Sequence, residues 1–375
     1  APFGISLVAD RLSAMMVMLA SLIALCAVTF SSARWDKAGV HFYPLTMLLL
    51  MGLSGAFLTG DLFNLYVYFE ILLAASYGLL LHGSGRQRVS ASVPYVAVNL
   101  AASSLFLIGA TTIFGITGTL NMADLVQRAA AVAPADRWIL HTGAGILSVA
   151  FLAKAAAWPL NFWLVPAYSA STAPVAAYFA IMTKVGFYSI VRVTSLLYAE
   201  RLEQFGQTGL FVVGLVTASL GSLGMVGTHR LPKLASYSVM VSSGTLIAAF
   251  ALRQWEITSG ALFYLLSSTL GVTALFLLID LIERWQNSGA TIEDDAPFLA
   301  ASLTDAHNFN LDDDEERLVG RPFPASTAFL ALTFLACTVI IAGLPPLSSF
   351  VGKLAMLSAA LELGEHDVDR GRVVA

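Results

Sequence analysis

Residues 60–83 read GDLFNLYVYFEILLAASYGLLLHG, a stretch long enough to cross a lipid bilayer as one α-helix. Near its middle lies the carboxylate of Glu70, with aromatic residues before it and small residues after it. A charge at that depth costs at least about 2.5 kcal/mol, so it is usually retained for a function. The stretch therefore predicts a membrane-spanning helix whose carboxylate needs a cationic partner or a water-filled path.

The composition predicts an all-α, polytopic membrane protein. The 375-residue chain is 57% hydrophobic and 12% charged, whereas a soluble domain carries about 25% charged residues. A formal net charge of −4 without a basic patch argues against nucleic-acid binding. The two cysteines, Cys26 and Cys337, lie in apolar segments and indicate neither a disulfide nor a metal site. No nucleotide-binding or catalytic-metal motif is present in the sequence, so we expect no cofactor and no metal.

Hydropathy predicts about ten membrane spans in a single transmembrane domain covering residues 1–375. The first nine predicted spans are 6–30, 42–59, 60–83, 93–116, 138–160, 174–197, 209–226, 233–252 and 260–281. The tenth begins near residue 325, is interrupted at Pro345 and Pro346, and continues past Lys353. Spans two and three are joined only by Gly60 and Asp61, which predicts a tight antiparallel hairpin.

One long segment, residues 283–321, is predicted to lie outside the membrane. It contains EDD at 293–295 and DDDEE at 312–316, a composition typical of a solvated loop. The distribution of basic residues between the predicted spans favours a cytoplasmic location for this loop. The basic residues predicted on the same side are Arg34, Lys37, Arg86, Arg88, Arg230 and Lys233.

Three lysines fall at membrane depth and are candidate partners of Glu70. Lys154 lies in FLAKAAAWPLNFW, where alanines allow a neighbouring helix to approach closely. Lys184 lies near the centre of its span, and Lys353 follows the double-proline interruption in IIAGLPPLSSFVGK. Interrupted helices of this kind expose helix ends to ions inside a membrane.

Each lysine also has a plainer interpretation. Lys154 could extend to the membrane interface, Lys184 could form a structural ion pair, and Lys353 could begin an ordinary interfacial helix. The alternative is a proton relay formed by a carboxylate and several lysines within the bilayer. Such groups can pass protons along, because the charge on each one affects the proton affinity of its neighbour.

Other titratable residues are weaker candidates. His141 lies near the start of the fifth predicted span and is an accessory candidate for proton uptake. His229 and Lys233, in THRLPKLASYSVMVSSG, are accessory candidates near the start of the eighth.

Four motifs together resemble one family of membrane proteins. They are TGDLFNLYVYFEILLAASYGLLLHG, FLAKAAAWPLNFWLVPAYSASTAPVAA, THRLPKLASYSVMVSSG and AGLPPLSSFVGK. The resemblance is to the proton-conducting antiporter-like subunits of respiratory complex I and of Mrp-type cation/proton antiporters. The GDLFNLYVYFEILL run is most similar to the D-type subunits of Mrp complexes, and the resemblance covers nearly the whole chain.

The resemblance implies a fourteen-helix fold with two inverted five-helix repeats, each containing a broken helix. By comparison with that fold, the chain is expected to be a fragment that contains roughly helices 3–12, about ten of the fourteen. By motif match, Glu70 is the carboxylate of the fifth helix and Lys154 the lysine of the seventh that pairs with it. Lys184 matches the connecting lysine of the eighth helix, and Lys353 the lysine of the second broken helix.

One region departs from the family pattern. Many relatives have His and Lys where this chain has ALFYLLSSTLGVTALFLL, and here Ser267, Ser268 and Gly271 occupy that region. The central relay is therefore expected to use hydroxyls and water, or to conduct less well in its second half.

The resemblance implies a transporter subunit, not an enzyme, that moves protons against Na⁺ or another monovalent cation. The implied partners are the A, B, C, E, F and G types of Mrp subunit, and the implied location is the bacterial plasma membrane. The alternative is a proton-pumping membrane subunit of complex I or of a membrane-bound hydrogenase. The motifs discriminate poorly between the two, because both use the same relay. A non-conducting scaffold is disfavoured by the four intramembrane charges.

Overall fold

The computed structural model describes residues 5–39, 41–197, 206–294 and 325–373. Within these ranges the chain is helical, with two isolated β-bridges and no strand. The helices are α1 (Arg11–Ser31), α2 (Phe42–Leu58), α3 (Leu62–Leu80), α4 (Arg86–Thr117), α5 (Met122–Ala130), α6 (Arg137–Lys154), α7 (Leu164–Ala170), α8 (Ala173–Leu197), α9 (Gln207–Val226), α10 (Leu231–Ala251), α11 (Trp255–Asp294), α12 (Ala325–Ala342) and α13 (Ser348–Val373).

Seven of the described helices are long and apolar enough to cross a membrane: α1, α3, α4, α8, α9, α10 and α11. They correspond to seven of the ten predicted spans. The second predicted span is the 17-residue α2, the fifth is the 18-residue α6, and the tenth is divided between α12 and α13. The all-α, polytopic fold predicted from the sequence is confirmed.

The predicted hairpin is formed by α2 and α3, which pack closely because two glycines of α2 leave room. A Cβ atom at Gly52 would lie 2.6 Å from the Leu72 Cβ, and one at Gly55 would lie 2.2 Å from the Tyr68 ring. The Asp61 side chain accepts a hydrogen bond from the Asn64 backbone amide and caps α3. This close packing fixes the position of the Glu70 helix.

Two helices are interrupted, and both interruptions have the same backbone geometry. After α6, the Ala157 amide donates to the Leu152 carbonyl, and Ala156 adopts a left-handed φ of 52°. After α12, the Leu344 amide donates to the Val339 carbonyl, and Gly343 adopts a φ of 72°. This is the usual way in which a helix ends, and it requires one residue with positive φ. The fifth predicted span therefore ends at Lys154, earlier than residue 160.

The helix α8 lies at the centre of the described bundle and is almost entirely buried. It packs against α1, α2, α6, α10 and α11. Its far end is tied to the start of α1, because the Arg192 guanidinium pairs with the carboxylate of Asp10. That pairing holds the pKa of Asp10 well below its usual range, so its stabilising effect persists at neutral pH and is lost only as the solution becomes strongly acidic.

The segment predicted as an extramembrane loop, 283–321, begins in a helix. Residues 283–294 continue α11, and the remainder of the loop lies outside the described residues. Its placement outside the membrane stays a prediction.

Candidate functional site

Glu70 lies in the middle of α3 with an unsatisfied oxygen. Its Oε1 atom is buried and has no hydrogen-bond partner among the described residues. Tyr66 and Tyr77 are four residues before it and seven after it, which places them on the same face of the helix. A buried oxygen without a donor costs about 1–3 kcal/mol, and more when it is charged. The position therefore calls for a proton, a water molecule or a cation.

Lys154 is the last residue of α6 and is buried, with 6% of its surface exposed. Its Nζ atom donates a hydrogen bond of 3.3 Å to the Ser103 hydroxyl of α4. The same atom lies 4.7 Å from the centre of the Phe69 ring, the residue next to Glu70. Glu70 attracts Lys154 electrostatically, but the ion pairs of the described residues do not include these two. The carboxylate and the ammonium are thus neighbours that do not touch.

Lys184 lies halfway along α8 and is 1% exposed. Its Nζ atom donates to two hydroxyls of α10, those of Ser242 at 3.0 Å and Ser243 at 3.1 Å. Among the described residues no carboxylate contacts this ammonium. A buried lysine held by hydroxyls alone can give up its proton without breaking an ion pair, which suits a group that passes protons on.

A glycine brings together the backbones of the helices that carry the first two lysines. A Cβ atom at Gly186 would lie 2.6 Å from the Ala155 backbone nitrogen and 3.0 Å from the Lys154 carbonyl carbon. The α8 backbone therefore rests directly on the end of α6, two residues from Lys184. This contact requires glycine, because the atoms it faces are backbone atoms that cannot rotate away.

Hydroxyls and a small cavity continue from Lys184 towards the second interrupted helix. The Ser242 and Ser268 hydroxyls are hydrogen-bonded at 2.9 Å. Both line a cavity of about 180 Å³ that also reaches Tyr264 and Lys353. This volume accommodates several water molecules, each of which occupies about 30 Å³ in the liquid.

Lys353 is half-buried at the far side of this cavity. Its Nζ atom donates to the Ala342 carbonyl at 2.9 Å and lies 5.7 Å from the centre of the Tyr264 ring. Ala342 is the last residue of α12, so the lysine satisfies a carbonyl at a helix end. Ser267 donates to the Ser348 hydroxyl at the start of α13, at 3.1 Å. The two serines that depart from the family pattern therefore both face the second interruption.

The accessory candidates are placed apart from this line of residues. His141 precedes Lys154 by thirteen residues on one helix, a separation of about 20 Å. His229 and Lys233 lie at the exposed start of α10, and Lys233 lines a surface groove. The structure does not bring these three residues to the buried lysines.

Sequence reasoning missed the residues that hold the lysines, chiefly Ser103, Ser242 and Ser243. It also missed Asp280 and Glu283, which line a cavity of about 200 Å³ with Arg88 and Thr172. The signal for the acids was present, since two carboxylates three residues apart interrupt the apolar run LFLLIDLIERW. The serines carry no comparable signal, because serine is common throughout these helices.

We expect Ser242→Ala to slow proton transfer about tenfold, because it removes one of two hydroxyls on Lys184 and the link to Ser268. The measurement is cation-dependent proton movement in everted membrane vesicles containing the assembled complex. Ser236→Ala is the matched control, since among the described residues that buried hydroxyl bonds only the Pro232 carbonyl of its own helix. Equal rates for Ser242→Ala and the parent would show that the serine does not carry protons.

Comparison with known proteins gives one family over most of the chain. Residues 59–302 match the family described as NADH:quinone oxidoreductase/Mrp antiporter, TM. A probable D-type subunit of a K(+)/H(+) antiporter from Rhizobium meliloti is 51% identical over 97% of this chain and 67% of its own length. A D-type subunit of a Na(+)/H(+) antiporter from Alkalihalophilus pseudofirmus is 34% identical over 96% of this chain and 68% of its own.

A solved structure shares the fold along the chain. A chain of the Mrp complex from Dietzia sp. superposes with a TM-score of 0.80 at 29% identity. The match covers 97% of this chain and 63% of that one, so this chain spans less than two thirds of the solved chain.

Proposed function

Because the chain belongs to the NADH:quinone oxidoreductase/Mrp antiporter transmembrane family, we propose that it is a proton-translocating subunit of a multisubunit monovalent cation/proton antiporter. In this proposal Glu70, Lys154, Lys184 and Lys353 carry protons along the membrane plane. The observation that carries the proposal is the burial of Lys184 against two hydroxyls, one of which lines a cavity of about 180 Å³ that reaches Lys353.

The proposed mechanism begins at Glu70. When this carboxylate is charged it favours the charged form of Lys154, and when it is neutral Lys154 loses that attraction. Lys154 and Lys184 lie on helices in direct backbone contact, and in this proposal the charge on one lowers the proton affinity of the other. A proton arriving at Lys154 therefore drives a proton from Lys184 towards Ser242, the cavity and Lys353.

We propose that the protein works with the A, B, C, E, F and G types of Mrp subunit in a bacterial plasma membrane. The Dietzia structure is of a Mrp complex, which supports this assignment. The named relatives differ in cation, since one is assigned to a K(+)/H(+) antiporter and the other to a Na(+)/H(+) antiporter. We therefore leave the exchanged cation to experiment.

The experiment is antiport by the whole complex in everted vesicles, with Na⁺, K⁺ and Li⁺ added in turn to a preformed proton gradient. We expect at least one cation to dissipate the gradient in vesicles with the complex, but not in vesicles lacking it. Absence of a response to all three, with the complex assembled, would contradict the proposal. Proton movement driven instead by electron transfer would support the alternative, a subunit of a redox-driven pump.

We expect Lys353→Ala to reduce antiport about tenfold, because it removes the proton-carrying ammonium group at the far side of the cavity lined by Ser242 and Ser268. The change should leave the complex assembled, since Lys353 is half-buried and bonds only a helix-end carbonyl among the described residues. Rates are compared in everted vesicles with matched amounts of complex. Full activity would mean that protons leave the path before reaching this lysine.

A further inference from the structure

A groove on the surface of the bundle combines positive charge with apolar walls. It has a volume of about 960 Å³ and lies between the starts of α4 and α10 and the segment around α7. Arg86, Arg230 and Lys233 line it, together with the apolar side chains of Phe162, Val165 and Met240. We call this surface the basic groove. Its volume is within the range of about 300–1,000 Å³ typical of ligand sites.

The charge of the basic groove is not balanced by the protein. Among the described residues, no Asp or Glu lines it, and the ion pairs do not include Arg86, Arg230 or Lys233. All three side chains are exposed. Three unpaired cations around one concave surface favour an anionic ligand.

Two helix ends add to this positive potential. The helix α4 begins at Arg86 and α10 at Leu231, and neither N-cap residue makes a side-chain hydrogen bond to the helix. The first amide groups of a helix carry a partial positive charge and act as donors to anions, phosphate above all. The second residue of α10 is Pro232, which has no amide hydrogen, so the groove offers its cationic side chains together with backbone donors chiefly at the start of α4.

The rest of the groove wall is unsuited to a small soluble anion. Phe162 is 58% exposed beside the half-buried Val165 and the exposed Pro166, in a chain whose neighbouring helices α4 and α10 are long and apolar enough to span the membrane. An apolar surface next to a group of cationic side chains is complementary to a ligand with an anionic headgroup and a hydrocarbon tail. Basic pockets between transmembrane helices bind anionic lipid headgroups for this reason.

We propose that the basic groove is a binding site for an anionic phospholipid. The phosphate lies among Arg86, Arg230, Lys233 and the two helix starts, and an acyl chain lies along Phe162, Val165 and Pro166. The site is separate from the buried lysines and does not depend on the proposed transport function.

The test is lipid selectivity of the assembled complex in phosphatidylcholine vesicles, measured by electron paramagnetic resonance with spin-labelled phosphatidylglycerol or spin-labelled phosphatidylcholine as probe. The parent should immobilise phosphatidylglycerol in preference to phosphatidylcholine. Arg86→Gln, Arg230→Gln and Lys233→Gln should each weaken that preference about fivefold, as expected for one cation near an anionic lipid. The triple variant should abolish it.

Arg34→Gln with Lys37→Gln is the matched control, because these exposed cations are predicted on the same membrane side and do not line the groove. The control should keep the parent's selectivity. If the triple variant fails to assemble, the lipid selectivity of the three single variants decides the outcome.

Three results would overturn the proposal. The first is unchanged selectivity in the single variants. The second is displacement of the labelled lipid by excess inorganic phosphate, which would indicate a soluble-anion site. The third is a parent complex with no preference, as expected if a partner protein covers the groove.

Discussion

Glu70→Ala and Lys154→Ala are each expected to reduce cation-dependent proton movement at least about 100-fold, to background. Either change removes one of two buried groups that attract each other, so the proton affinity of the remaining group no longer responds to its neighbour. A 100-fold change in rate corresponds to about 2.7 kcal/mol in the barrier to proton transfer. The measurement is gradient dissipation in everted vesicles, normalised to the amount of assembled complex.

The double variant distinguishes a coupled pair from two separate sites. If Glu70 and Lys154 act together, Glu70→Ala combined with Lys154→Ala is no worse than either change alone. Glu256→Gln is the control for removing a carboxylate, because Glu256 is exposed at the start of α11. Wild-type antiport in both single variants would refute the relay.

The second large effect comes from a residue with no charge. We expect Gly186→Ala to abolish transport, because its Cβ would lie 2.6 Å from the Ala155 nitrogen and 2.8 Å from the Phe151 carbonyl oxygen. Backbone atoms cannot rotate aside, so α8 and the end of α6 must separate. Overpacking of this kind costs about 1–3 kcal/mol of stability and here displaces Lys154 from Lys184.

Gly115→Ala is the matched control for this prediction. Gly115 is also in a transmembrane helix, but a Cβ atom there meets nothing within 4 Å. Removing a helical glycine at an open position stabilises the helix by about 0.5–1 kcal/mol. Thermal stability and antiport are measured on both purified complexes, and normal antiport by Gly186→Ala would disprove the requirement for close contact.

The helices could be predicted from the sequence because a membrane imposes long apolar runs. The charged residues were equally evident, since Glu70 and Lys184 interrupt such runs. The positions of the two helix interruptions could be predicted less exactly. Pro345 and Pro346 indicate the second directly. The first begins at Ala155, four residues before Pro159, at the carbonyl with which a helical proline would clash.

The partners of the lysines could not be predicted, because they depend on which helices touch. Ser242 and Ser243 reach Lys184 from α10, a helix that begins more than thirty residues after α8 ends. Ser103 reaches Lys154 from α4 in the same way. A serine in an apolar helix costs little free energy, because its hydroxyl can bond a backbone carbonyl of the same helix. The sequence therefore does not distinguish these three serines from those that bond only their own helix.

The position of Lys184 has an electrical consequence. This lysine lies at the middle of the 25-residue helix α8, so a proton that reaches it from either side crosses about half of the membrane potential. A full crossing corresponds to about 2.3 kcal/mol per 100 mV, and the half crossing to about 1 kcal/mol. The voltage across the membrane therefore changes the protonation of Lys184 several-fold, even when the pH on both sides is equal.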